Sequence, residues 1–170
     1  LFQGLAISSD KDFEKHLNRY PVLYLDMTDF VTKYGNDEQL VEHIKRDICE
    51  ESLELYKGVV MKPNDDLMDL LVSIVNQTGE KFVCLIDEWD ALCREGQEKQ
   101  MDEYVNLLRR LFKGSMSEYV FACSYMTGIL PIKRYNTQSA LNNFDEYTML
   151  SPAQLAPYFG FTENEVEQLC

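Results

Sequence analysis

KFVCLIDEWDAL, residues Lys81 to Leu92, decides how the rest of this chain is read. Phe82 to Ile86 is an unbroken apolar run that ends abruptly in two acids, Asp87 and Glu88. A run of that length and bulk predicts a strand buried on both faces, as in a parallel sheet. The adjacent carboxylates at its carboxyl end then fall at the rim where open α/β sheets hold their ligands.

Two further strands are predicted on either side. VLYLD (Val22 to Asp26) again ends in an acid, and EYVFACSYM (Glu118 to Met126) leads into Thr127-Gly128. Between and around them the spacing predicts helices: a short one over Asp10 to Asn18, a loop or short helix over Thr28 to Tyr34, and a long helix within Asn36 to Lys57. Further helices are expected over Leu67 to Asn76, capped by Asn64-Asp65-Asp66, and over Gln97 to Lys113, closed by Gly114. An edge strand is expected around Tyr147 to Leu150. A final helix opens with Thr162 at the N-cap and Glu165 three residues on. Strands alternating with helices predict an α/β fold on a parallel sheet. The three strand ends, Asp26, Asp87-Glu88 and Thr127, would share one rim.

An apolar strand followed by two acids is the Walker-B arrangement of P-loop nucleotide hydrolases. There the first carboxylate holds Mg²⁺ and the second orients the attacking water. The competing reading is a buried strand whose acids cap the next helix. Thr127, at a strand end, reads as a hydroxyl capping its neighbour. Trp89 reads as packing, Asp90 as an N-cap, and Asp26 as structural. His16, His43 and Cys49 show no metal-ligand spacing.

Bulk properties narrow the function classes. With 170 residues and 45% apolar side chains the chain suits one well-buried domain. A net charge of −13 argues against nonspecific binding of nucleic acid, which needs clustered Lys and Arg. Five scattered cysteines without CxxC fit a reducing compartment, and Cys84 and Cys123 lie in apolar runs as small hydrophobes. No apolar stretch reaches membrane-spanning length, so the chain reads as cytoplasmic.

One expected part is missing. No GxxxxGK[ST] occurs among these residues, so the backbone cradle of a P-loop fold is not encoded here.

Several segments nonetheless resemble the AAA-ATPase-like family of bacterial proteins. They are LFQGLAIS (1–8), PVLYLDMTDF (21–30), KFVCLIDEWDAL (81–92), YVNLLRRLFKG (104–114), YMTGILPIKRYNTQSALNNFDEYTM (125–149) and YFGFTENEVEQLC (158–170). The resemblance implies a three-layered, mostly parallel sheet of P-loop NTPase type, truncated at both ends. Residues 1–150 would be a partial ATPase-like core and residues 151–170 the start of a C-terminal helical segment. It implies ATP and Mg²⁺ as ligands of the intact protein, with an upstream phosphate loop, and often a restriction-nuclease-like domain downstream. Asp87 would be the metal-side acid and Glu88 the catalytic, water-orienting one. Thr127, as a sensor of the γ-phosphate, and Lys133 would face the nucleotide; Arg134 and Arg109 are the other nearby cations, Arg109 reading as a surface or structural salt bridge. These 170 residues alone are expected to be inactive.

The alternatives are a noncatalytic interaction or regulatory module that retains the scaffold, and, less well supported, a metal-dependent nuclease using Asp26, Asp87 and Glu88. A sheet lacking its central strand is also expected to self-associate through an open edge.

Overall fold

The computed structural model describes residues 2, 4–35, 37–96, 98–131, 141–158, 161 and 163–170. Three strands, β1 (Val22–Asp26), β2 (Phe82–Asp87) and β3 (Phe121–Met126), form a parallel sheet in the order β1-β2-β3. The helices are α1 (Phe13–His16), α2 (Met27–Tyr34), α3 (Leu40–Leu55), α4 (Leu67–Thr78), α5 (Ala91–Arg94), α6 (Glu98–Lys113), α7 (Ser117–Val120) and α8 (Glu163–Leu169). Short 3-10 turns lie at Ala6–Ser9 and Ala153–Tyr158.

Helix boundaries reflect local chemistry. Asp66 and Asp69 form a reciprocal capping box at the start of α4, and Gly79, in the left-handed region at φ 75°, ends it. The Asp26 carboxylate accepts from the N–H groups of Thr28 (2.9 Å) and Asp29 (3.2 Å), which turns β1 directly into α2. Leu40, Val41, Ile44 and Ile48 give α3 one buried face, and Met101, Tyr104, Leu107, Leu108, Leu111 and Phe112 do so for α6. Leu141 and Phe144 tie the later segment onto α6, with Phe144 edge-on to Phe112 and Asn143 donating to the Phe112 carbonyl at 2.8 Å.

The strand pattern corrects two expectations. In β2, Phe82, Cys84 and Ile86 are buried, while Val83 and Leu85 are only half-buried. Register places Val22, Val83 and Cys123 in one row and Tyr24, Leu85 and Tyr125 in the next. On that face Val22 and Tyr24 are each 56% exposed, and Cys123 is exposed too. Among the described residues the sheet is therefore covered on one face, giving two layers where three were expected. Cys123 is a surface thiol, unlike Cys84, whose burial pushes its thiol up to about 12. An apolar run cannot report how many faces are covered, because both kinds of strand carry large apolar residues.

Two smaller expectations also differ. Residues 117–120 make a helical turn, with the Val120 N–H bonding the Met116 carbonyl, so β3 starts at Phe121 rather than Glu118. No strand forms around Tyr147 to Leu150; an isolated bridge joins Thr148 to Ser151 across a tight turn. The outer edge of β3 pairs with no strand among the described residues. A groove of about 870 Å³ borders β3, its lining including Ser124, Tyr125 and Met126 and, from the later segment, Asp145, Tyr147 and Met149. The expected N-cap Thr162 lies outside the described residues.

Candidate functional site

The site is built where β2 and β3 end. Asp26 and Asp87 stand in register at the carboxyl ends of β1 and β2, and Thr127 comes directly after β3. The Thr127 N–H donates to the Ile86 carbonyl at 2.9 Å, extending the ladder by one bond beyond Met126. That bond aims the Thr127 hydroxyl at Asp87 Oδ1, to which it donates. Tyr24 Oη donates to the other oxygen, Oδ2, at 3.3 Å. Partial desolvation, then the charges of Asp87 and Asp26, raise the Tyr24 phenol above its ordinary value, so it stays a donor at neutral pH.

The backbone then turns sharply. Glu88 has φ 53°, a left-handed conformation that is strained for a residue bearing a Cβ. Several bonds hold it there. Its N–H reaches the Thr127 hydroxyl oxygen at 3.2 Å, and the next N–H, of Trp89, reaches the Thr127 carbonyl at 2.9 Å. The Trp89 indole N–H donates to the Leu130 carbonyl at 3.2 Å, and its ring is buried, as a packing residue should be.

Asp90 is fully buried. It sits at the N-cap position of α5, but its carboxylate makes no cap there. Instead it accepts from Ile129 N–H (3.3 Å) and Leu130 N–H (2.9 Å), so it fastens the β2 exit to the loop after β3. Gly128 makes that closure fit: a Cβ there would lie 2.4 Å from Trp89 Cδ1 and 2.7 Å from Asp90 Oδ1. Arg94, from α5, completes the cluster by pairing with Glu88 Oε2 and, through Nε at 3.3 Å, with Asp90 Oδ2.

The model of one protein family, AAA-ATPase-like, described as "predicted AAA-ATPase", matches residues 1–137. This chain belongs to that family. Neither the curated proteins nor the solved structures compared with it include a match. Membership carries a general association with nucleotide binding.

The structure brings Asp87, Glu88 and Thr127 of this AAA-ATPase-like chain together at one rim, with Asp26 beside them. Asp26 is occupied as a helix cap. Lys133 and Arg134 lie outside the described residues. Arg109 bonds Asn106 on its own helix. His16 bonds the Tyr20 hydroxyl and His43 pairs with Asp37. Arg94 and Gly128 were not legible as site residues. Arg94 lies four residues beyond Asp90, at helical spacing, but six beyond Glu88, and the turn at Glu88 brings it onto that carboxylate.

No group of three or more His, Cys, Asp and Glu able to hold a metal occurs among the described residues. The donor set at the rim is nevertheless suited to one hard cation. It is all oxygen, and among the described residues Asp87 accepts only from side-chain hydroxyls whose hydrogens can rotate away. Mg²⁺ commonly uses one or two carboxylates and takes its remaining ligands from water and substrate phosphates. No helix of the described residues is long and apolar enough to cross a membrane.

Proposed function

We propose that, in the intact protein, this domain binds ATP with Mg²⁺ and hydrolyses it. The observation that carries the reading is the shared hydroxyl of Thr127, which donates to Asp87 and accepts the Glu88 N–H. One side chain from the end of β3 thereby holds both the Asp87 carboxylate and the backbone of Glu88. Asp87 and the Thr127 hydroxyl would hold the metal, which when bound supplies charge neutralisation at the phosphates. Glu88 would orient water for in-line attack and take its proton. Thr127, with Lys133 further along the chain, would meet the nucleotide. The reading requires a phosphate loop from outside these 170 residues, since none lies within them.

The test is Glu88→Gln in the intact protein. The amide keeps size and polarity but cannot take a proton, so turnover should fall about 10²- to 10⁴-fold with nucleotide affinity largely kept. An unchanged hydrolysis rate sinks the reading. It would favour the noncatalytic alternative, to which one observation points: both acids have protein partners, Thr127 and Arg94.

The outer edge of β3, unpaired among the described residues, is proposed as a site of self-association by strand pairing. A net charge of −13 opposes bringing two copies together, so association should strengthen with added salt. Sedimentation showing a monomer at every salt concentration would discard it.

A further inference from the structure

Glu88 differs from Asp87 in what holds it. The carboxylate of Asp87 meets two hydroxyls, whereas that of Glu88 meets a permanent cation. Arg94 in turn is anchored: its Nε bonds Asp90 Oδ2 at 3.3 Å, and Asp90 is fully buried and fixed by the N–H groups of Ile129 and Leu130. The guanidinium fork thus spans two carboxylates, one immobile and one at the rim. The Glu88 side chain is 36% exposed and that of Arg94 29%, so the pair borders solvent without being dissolved in it. Nothing in the peptide bonds alone would hold a flexible glutamate in one rotamer at a half-open rim. The paired oxygen is Oε2, and Arg94 leaves Oε1 untouched.

We infer that Arg94 is a positioning residue for Glu88, fixing its carboxylate so that one oxygen stays directed to the water that attacks the phosphate. The inference rests on Glu88 being the water-orienting base. The physical reason is preorganisation. A base held in one geometry avoids the cost of ordering itself in each turnover, and a displacement of about 1 Å can cost on the order of 100-fold in rate. The fork matters as well as the charge, because Nε and a terminal nitrogen hold different partners at once. A lysine ammonium has no fixed fork with which to reproduce that span.

The experiment measures ATP turnover, nucleotide affinity and thermal melting of the intact protein for wild type, Arg94→Ala, Arg94→Lys, Glu88→Gln and the Glu88→Gln/Arg94→Ala pair. Arg94→Ala should lower kcat about 10- to 100-fold with KM changed less than about twofold. Arg94→Lys should fall between that and wild type, and added guanidinium ion should restore part of the loss in Arg94→Ala. The double variant should be no slower than Glu88→Gln alone, since a residue that acts through Glu88 has nothing left to position. Wild-type kcat in Arg94→Ala beside an inactive Glu88→Gln overturns the role of Arg94 and leaves the proposed hydrolase intact. Full activity in Glu88→Gln, or no turnover in wild type, overturns both. A further loss in the double variant, or equal falls in kcat and melting temperature for Ala and Lys without guanidinium rescue, assigns Arg94 to the scaffold and overturns the inference.

Discussion

Two neighbouring strands end in the same residue type and put it to different use. Asp26 closes β1 and Asp87 closes β2, in register across one sheet. Asp26 accepts from two backbone N–H groups of the helix it starts, bonds that exist whenever α2 exists. Among the described residues Asp87 accepts only from the hydroxyls of Thr127 and Tyr24. A capping carboxylate is part of the fold, while one held by rotatable hydroxyls can be turned to a ligand without unpairing any backbone group. The difference comes from the path the chain takes out of each strand. After Asp26 it enters a helix at once, whereas after Asp87 a left-handed residue directs it away, leaving the carboxylate at the rim.

The largest effect should come from breaking the Asp87 side of this comparison. Asp87→Ala is expected to reduce Mg²⁺-dependent turnover of the intact protein by at least about 100-fold while melting within a few degrees of wild type. A variant that unfolds, as judged by circular dichroism, would place Asp87 with Asp26 among the structural acids.

Gly128→Ala tests the closure that carries Thr127 to Asp87. The added methyl meets the Trp89 ring and the Asp90 carboxylate, both packed in place, and should cost about 1–3 kcal/mol of stability. Turnover at permissive temperature should fall too, because the strain acts one residue from Thr127. Chemical denaturation showing wild-type stability would mean that the loop relaxes freely.

Asp26→Ala should cost about 1 kcal/mol, the ordinary loss of a helix N-cap, and leave turnover within about twofold of wild type. Turnover abolished in a stable Asp26→Ala protein would end the distinction between the two acids.

The smallest effect lies beneath the rim. The Tyr104 hydroxyl is buried without a hydrogen-bond partner among the described residues, and burial, then the charges of Cys84 and Asp90, push its phenol well above the ordinary value. Removing an unsatisfied polar group from a core should be neutral or slightly stabilising, so Tyr104→Phe is expected within about 1 kcal/mol of wild type on the favourable side. A clear loss on denaturation would show that the hydroxyl has a partner, such as a buried water.

The strand ends were legible because a parallel α/β sheet places successive carboxyl ends on one side, and each apolar run stops visibly at Asp26, Asp87 and Met126. Helix starts were legible where side chains carry the signal, as in the Asp66 capping box. The open sheet face was not, since Val22 and Tyr24 look like core residues in any one-dimensional pattern. Asp90 was legible as a cap by position, yet its carboxylate serves a loop about 40 residues away.

By itself, then, the sequence determined the alternation of elements, the common rim and the adjacency of Asp87 and Glu88, all properties of local pattern and chain direction. Only the tertiary structure decided which acid is tied to backbone and which to hydroxyls. It alone decided that Thr127 holds the Asp87 carboxylate and the Glu88 backbone, and that Arg94 reaches Glu88 through a strained turn. Those are contacts between segments distant in sequence or across a left-handed residue. Their geometry depends on sheet register and on the close packing of Gly128 against Trp89, neither of which any periodicity records.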